Sequence, residues 1–207
     1  MKKSTALLLF FILAKFALQA LVVHPDFELQ RDEFLHLDQA DHLAWGYLSV
    51  PPLTSWISVE ISWLGNSVFW IRFFPALFGV FTLMLIWDLV GRLGGNLFAK
   101  SLAAVCMLCS ALIRLNILYQ PNSVDILCFT LVFYTLIRYI QSGQDRWLSL
   151  LGISFALGLL NKYTIVFLAI RLFPALALTR RSIFQNKKLY GALALALLLI
   201  LPNLLWE

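Results

Sequence analysis

Long apolar segments alternate with short polar ones along most of the chain. Inside them the apolar residues run continuously, without the in-and-out alternation of a membrane β-strand, which favours helices over a barrel. A window of about 20 residues, the length that crosses a bilayer as a helix, selects candidate spans. They lie at residues 5–23, 68–90, 97–118, 123–141, 147–160, 163–178 and 189–205. The pattern predicts an all-α integral membrane protein with about seven transmembrane helices.

Three of these segments differ from a simple span. The fifth and sixth are short for a bilayer of about 30 Å, so we expect a helical hairpin that turns at residues 161–164. The first run has the basic head of a signal peptide, but it continues to Val23 with no clean cleavage site. It therefore predicts an uncleaved first span.

Composition agrees with a membrane protein, and the basic residues suggest an orientation. The chain is 61% hydrophobic and only 13% charged, which leaves too few polar residues to cover a soluble core. With the N-terminus placed in the cytoplasm, most Lys and Arg residues fall at inner helix ends, as the positive-inside rule requires. The net charge of +5 then reflects membrane anchoring, and no nucleic-acid partner is indicated.

The first predicted outer loop, residues 24–67, is the most polar part of the chain. The stretch from Asp32 to Trp45 contains no Gly or Pro and predicts a helix of about four turns that ends at Gly46. A second short helix is predicted at residues 53–64, and both would lie along the membrane surface. We expect one membrane domain over residues 1–207, with this loop as its first extracytoplasmic loop.

Candidate chemistry begins with an acidic pair at the start of that loop. Asp32 and Glu33 are adjacent. His36 lies four residues after Asp32 and three after Glu33, within reach of both on a helix. For Asp38, Asp41 and His42 the simpler interpretation is the solvated face of a surface helix. The same outer side would carry three cations: Arg72, Arg114 and Lys162.

A second polar segment, residues 116–127, separates the third and fourth candidate spans. Pro121 would end one helix, Asn122 or Ser123 would cap the next, and Asp125 would lie in its first turn. A carboxylate at that place is explained by the helix dipole alone, but it would also face the outer aqueous side.

These motifs resemble those of the polyprenol-phosphate-sugar-dependent glycosyltransferases of the GT-C class. The likeness is to the protein O-mannosyltransferase-like superfamily (glycosyltransferase family 39), which includes the aminoarabinose transferases that modify lipid A. It rests on "RDEFLHLDQADHLAWGYLSVPPL" (31–53), with its acidic pair, Gly46-Tyr47 and Pro51-Pro52. Weaker matches are "WIRFFPALFG" (70–79), "PNSVD" (121–125), "LGLLNKYT" (157–164) and "LPNLLWE" (201–207).

The resemblance implies a membrane enzyme that transfers a sugar from a polyprenyl-phosphate donor to an acceptor hydroxyl, with inversion, on the extracytoplasmic face of a bacterial inner membrane. It implies that Asp32 is the catalytic base, with Glu33 beside it as a second catalytic carboxylate. Lys162 and Arg72 would bind the donor phosphate, and Asp125, Tyr47 and His36 would contact substrate. The base and the basic residues would share one pocket. The acceptor could be a lipid, a glycan or a protein.

Several alternatives stay open from the sequence. A divalent metal ion is possible, with Asp32, Glu33 and His36 as its possible ligands, although three residues on one helical turn do not define a site. Members of the superfamily are usually longer, so we expect the chain to be an N-terminal module, apparently truncated. A transporter or flippase-like protein, or a non-catalytic remnant or subunit, would also fit the hydrophobic pattern.

Overall fold

The computed structural model describes residues 3–23, 28–48 and 50–206, and these residues form helices joined by short turns. One isolated antiparallel bridge joins Tyr47 to Val50. The helices are α1 (Lys3–Val22), α2 (Arg31–Asp38), α3 (Leu53–Trp63), α4 (Val68–Arg92), α5 (Leu97–Leu108), α6 (Leu112–Leu115), α7 (Pro121–Ser142), α8 (Arg146–Asn161), α9 (Ile165–Thr179) and α10 (Lys187–Trp206). Short 3-10 helices cover Gln39–Asp41 and Arg181–Gln185. The prediction of an all-α membrane protein is confirmed.

Within the described residues, four helices are long and apolar enough to cross a bilayer: α1, α4, α7 and α10. The helices α5, α8 and α9 are apolar but shorter. The 16 residues of α8 would reach about 24 Å at 1.5 Å per residue, less than the hydrocarbon thickness. The hairpin expected from α8 and α9 is present, and its turn lies at Lys162–Thr164. The expected count of seven crossings stays a prediction.

Three expected helix boundaries are wrong. The span expected at 97–118 breaks after Leu108, where the Ser110 hydroxyl donates to the Met107 carbonyl and accepts from the Leu112 amide. The loop helix expected to reach Trp45 ends at Asp38 and tightens into a 3-10 turn over Gln39–Asp41. Such local alternatives compete with the helical ladder and leave no mark in the hydrophobic pattern.

The third error concerns the start of α7. Pro121 is the first residue of this helix and does not end the one before it, because proline lacks the amide hydrogen that the first helical turn leaves unpaired. Ser123, expected as a cap, donates its hydroxyl to the Leu115 carbonyl. Asp125 therefore lies in the second turn of α7, not in the first.

The chain divides into two compact units, and the division falls within α3 and α7. The first unit holds the described residues within 1–41 and 57–123, and the second holds those within 42–56 and 124–207. The expectation of a single membrane domain stays a prediction.

In the first unit, α1 and α5 pack against α4. Phe11, Leu83, Trp87 and Ala104 form a buried apolar cluster there. A second cluster of Ile61, Ile71 and Tyr119 lies where α3 and α4 meet the segment before α7. This second cluster supports the polar residues of the candidate site, because Tyr119 belongs to both.

In the second unit, α10 packs closely along α8. Gly152 of α8 faces the backbone of α10, and a Cβ at this position would overlap the carbonyl oxygen of Ala192. Backbone cannot move aside as a flexible side chain can, so the contact requires glycine. Small residues of this kind allow close approach of helices in membranes.

We expect Gly152→Ala to destabilise the protein by about 1–3 kcal/mol, the usual cost of overpacking. Gly191→Ala is the matched control, because a Cβ added to Gly191 on α10 would have no other atom within 4 Å, and alanine is the better helix former. Unfolding in mixed micelles measures both. Equal stability of the two variants would contradict the close α8–α10 contact.

Candidate active site

The acidic pair lies in the first turn of α2, and the helix start fixes one member of it. Gln30 precedes the helix with extended backbone, and its amide donates to Glu33 Oε2 at 2.8 Å. A glutamate at the third helical position commonly satisfies a backbone donor in this way. The α2 start therefore turns Glu33 inward and leaves Asp32 on the neighbouring face.

Glu33 is completely buried, with 0% of its surface exposed. Its Oε1 accepts from Arg72 Nη1 at 2.5 Å and from the Tyr119 amide at 2.7 Å. Arg72 is itself nine-tenths buried, and its Nη1 also donates to the Ile117 carbonyl at 3.0 Å. Burying a carboxylate is costly without a charge partner and hydrogen bonds, and Glu33 has both.

Tyr119 secures the far side of this ion pair. It is buried, and its hydroxyl shares a 3.0 Å hydrogen bond with Ser58 of α3. Burial raises the pKa of the Tyr119 phenol, and the nearby Glu60 carboxylate adds to the rise, while the Ser58 hydrogen bond opposes it. The phenol therefore stays protonated, and the segment before α7 is held against α2, α3 and α4.

Asp32 has a different environment from its neighbour. Its side chain is 45% exposed and pairs with the exposed Arg31 at 3.1 Å. Gln120 Nε2 lies 3.4 Å from Asp32 Oδ2. The pair therefore separates into a buried structural carboxylate and a carboxylate that an incoming molecule can reach.

His36 is buried beneath the acidic pair, with 1% of its surface exposed. Burial lowers the pKa of the imidazole, and this effect outweighs the opposing influences of the Asp32 charge and a hydrogen bond with Gln39. The ring is therefore predominantly neutral at neutral pH.

The possible metal ligands do not converge. Among the residues that the structure describes, no three His, Cys, Asp or Glu side chains are grouped so that they could hold a metal ion. Both oxygens of Glu33 are already held, by Arg72 and the Tyr119 amide on one side and by the Gln30 amide on the other. Asp32, Glu33 and His36 therefore do not fit a divalent ion in this arrangement.

Tyr47 shapes the loop that follows. Its hydroxyl donates to the His42 carbonyl at 3.2 Å, and the Ala44 amide lies 3.3 Å from the same oxygen. Its backbone exchanges hydrogen bonds with Val50. The hydroxyl and the backbone of Tyr47 therefore stabilise the loop to which the residue belongs.

The second unit contains the other predicted site residues. Both carboxylate oxygens of Asp125 accept from the Thr164 hydroxyl, at 3.0 and 3.1 Å. Lys162 ends α8 with extended backbone, and its amide donates to the Gly158 carbonyl at 2.7 Å. Lys162 also interacts electrostatically with Asp125. The hairpin turn therefore brings a lysine, a threonine and an aspartate together.

Two buried asparagines support this turn, and sequence reasoning missed them both. Asn161 accepts from the Thr54 hydroxyl at 3.1 Å. Asn203 of α10 donates to the Trp45 carbonyl at 2.7 Å and accepts from the Tyr163 hydroxyl at 3.2 Å. Polar residues inside apolar helices were the available signal, since burying an amide requires partners.

A third buried polar group lies on α1. Lys15 is 3% exposed and Gln19 is 5% exposed, one turn apart on the same helix face. Lys15 Nζ donates to Asn116 Oδ1 at 3.0 Å, and Gln19 Nε2 donates to the Asn116 carbonyl at 2.5 Å. The lysine therefore faces the helical interior, where a charge within a span needs a hydrogen-bond partner of this kind.

Similarity to known proteins indicates the family of this chain. Residues 49–206 match the family described as Dolichyl-phosphate-mannose-protein mannosyltransferase. The chain belongs to this family. The match includes Arg72, Asp125 and Lys162, and it begins after Asp32 and Glu33.

A curated protein similar to this chain is the lipid A galacturonosyltransferase RgtD of Rhizobium johnstonii. It is 24% identical over 188 residues, which cover 83% of this chain. The chain spans 38% of the length of that relative. No solved structure matches the chain.

The burial of Glu33 leads to a test of the ion pair. Glu33→Gln keeps the shape but leaves the Arg72 charge buried without its counter-ion, so we expect a loss of about 3 kcal/mol or more in unfolding free energy. Asp32→Asn is the matched control on the neighbouring, half-exposed position, with an expected change within about 0.5 kcal/mol. Detergent unfolding followed by tryptophan fluorescence measures both. Similar losses for the two variants would contradict the separation of roles.

Proposed function

We propose that this chain carries the donor-using part of a membrane glycosyltransferase. The proposed reaction moves a sugar from a polyprenyl-phosphate donor to an acceptor hydroxyl on the extracytoplasmic face of the inner membrane, with the N-terminus in the cytoplasm. The family description, which names a dolichyl-phosphate sugar, supports a lipid-phosphate donor. The relative's name, which includes lipid A, supports a lipid acceptor.

The observation that carries the proposal is the contrast between the two adjacent carboxylates. Glu33 is buried and its oxygens are held by Arg72, Tyr119 and Gln30. Asp32 is 45% exposed, and it is held next to this fixed point by the rigid first turn of α2. An exposed carboxylate on a buried anchor is a well-positioned proton acceptor.

On the side of the attacking acceptor hydroxyl, the reaction requires little from the protein besides the carboxylate of Asp32. The acceptor oxygen forms a bond to the anomeric carbon as the bond from that carbon to the phosphate oxygen breaks. Asp32 takes the proton of the acceptor hydroxyl, and the polyprenyl phosphate departs with the bonding electron pair. A single displacement of this kind inverts the anomeric configuration. Phosphate is a good leaving group and needs no proton donor, unlike the alcohol in glycoside hydrolysis.

Positive charge is needed for the departing phosphate, and we assign this role to Lys162. Its side chain is partly exposed at the turn between α8 and α9, where an ammonium group can stabilise a phosphate oxygen as charge develops. Asp125 and Thr164 would orient the turn and contact substrate. Arg72 is the weaker candidate for binding the phosphate, since its charge is already matched by Glu33. We assign Arg72 and Glu33 to positioning Asp32.

Asp32→Asn tests the assignment of the base. We expect its transfer rate to fall by about 100- to 10,000-fold, the usual contribution of a general base. The assay follows radiolabelled sugar leaving a polyprenyl-phosphate donor in liposomes that contain the full chain and a lipid A acceptor. Donor binding should be unchanged, because asparagine keeps the size of the side chain.

Asp38→Asn serves as the control, because Asp38 is an exposed acid on the same helix. Its transfer rate should equal that of the wild type. Undiminished transfer by Asp32→Asn would remove Asp32 as the base, and loss of transfer by both variants would show a general charge effect.

A further inference from the structure

A cavity of about 200 Å³ lies in the first unit, between the last two turns of α1 and the first three turns of α4. This is larger than an engineered cavity of about 150 Å³ that admits benzene. Its walls are mostly apolar and include three aromatic rings, those of Phe16, Phe69 and Phe73. The rings of Phe16 and Phe73 are stacked with centroids 6.0 Å apart.

The cavity borders the surface that would face lipid. Val68 and Phe69 line it and are also 51% and 66% exposed. Both helices that form it are long and apolar enough to span a bilayer. It lies at the helix ends that the first loop connects, which corresponds to the boundary between acyl chains and headgroups. An amphiphile could therefore enter it from the side, chain first.

Two polar residues interrupt the apolar lining, and each has one unsatisfied atom. Gln19 Oε1 and Arg72 Nε are buried and have no hydrogen-bond partner among the described residues. The orientation of the Gln19 amide is fixed, because its nitrogen donates to the carbonyl oxygen of Asn116, which can only accept. Unpaired buried polar atoms are rare and costly in native proteins.

The chemistry of the two atoms selects the kind of partner. Arg72 Nε carries a hydrogen and needs an acceptor, whereas Gln19 Oε1 needs a donor. A hydroxyl group meets both needs with one oxygen. A phosphate or carboxylate would place oxygen lone pairs against Gln19 Oε1, and the guanidinium charge is already matched by Glu33. The polar end of the cavity is therefore suited to a neutral alcohol.

We propose that this cavity binds a lipid alcohol, with the chain against Phe16, Phe69 and Phe73 and the hydroxyl between Gln19 and Arg72. Both polar atoms are buried, so a hydroxyl that a hydrophobic chain carries into the cavity can pair with them away from bulk solvent. Ordered water is the competing occupant, and the aromatic lining disfavours it. Neither Asp32 nor Lys162 lines this cavity, and the proposal does not depend on the proposed transfer reaction.

Photolabelling of the full chain in phosphatidylcholine nanodiscs tests the proposal. The probe is a 12-carbon primary alcohol with a diazirine in its chain, compared with its methyl ether and its phosphate monoester. Phosphatidylcholine has no hydroxyl donor and does not compete. Saturable labelling is expected on residues 16–23 and 68–76. The ether, which cannot donate to Gln19, should bind about five- to tenfold more weakly than the alcohol.

Three variants locate the interaction. Gln19→Leu should reduce labelling by the alcohol to the level of the ether and leave the ether unchanged. Gln144→Leu, the same substitution at an exposed turn position, should change neither. Ala20→Phe fills the cavity and should remove labelling by both probes. It tests the site independently if Gln19→Leu fails to fold.

Three results would overturn the proposal. Equal labelling by the alcohol and the ether would show an apolar groove that does not recognise a hydroxyl. Stronger labelling by the phosphate ester would show an anion site. The absence of saturable labelling on these segments with every probe would show that water occupies the cavity.

Discussion

The ion pair between Glu33 and Arg72 is the contact on which the candidate active site depends. It connects the first turn of α2 to the first turns of α4, and through Glu33 Oε1 it also holds the backbone of Tyr119. Two charges removed from water are stable only while both are present and fully hydrogen-bonded. The same pair that fixes the geometry of this unit therefore makes it sensitive to loss of either member. The ion pair also fixes the position of Asp32, although Asp32 is not one of its two members.

The local hydrophobic pattern predicted the helices, whereas contacts between residues distant in sequence determine the geometry of the candidate site. The apolar runs predicted α4 and α10 to within a few residues, because their burial in lipid is recorded along the sequence itself. The break after Leu108 was missed, because the Ser110 side chain competes for two backbone groups in a way that hydropathy cannot show. Adjacent Asp32 and Glu33 looked equivalent in the sequence. They differ because Arg72 and Tyr119, 39 and 86 residues beyond Glu33, approach only one of them.

Hydrogen bonds between buried polar side chains and distant segments also stabilise the structure. In such an apolar chain, the amides of Asn116, Asn161 and Asn203 each join segments distant in sequence. An asparagine amide can both donate and accept, so a single residue can satisfy two neighbours inside a helical interior. Lys15 depends on such an amide for its hydrogen bond. These residues limit how the helices of each unit can pack, which apolar contacts alone would specify less strictly.

We assign Glu33 the role of a structural carboxylate paired with Arg72, a role that its neighbour Asp32 does not have. A double-mutant cycle tests it most directly, with Glu33→Gln and Arg72→Gln measured singly and together for unfolding free energy in micelles. A parallel cycle replaces Glu33→Gln by Asp32→Asn. From this pairing we expect a coupling energy of about 2 kcal/mol or more between Glu33 and Arg72, and one below about 0.5 kcal/mol between Asp32 and Arg72. Equal coupling energies in the two cycles, or coupling confined to Asp32, would contradict it.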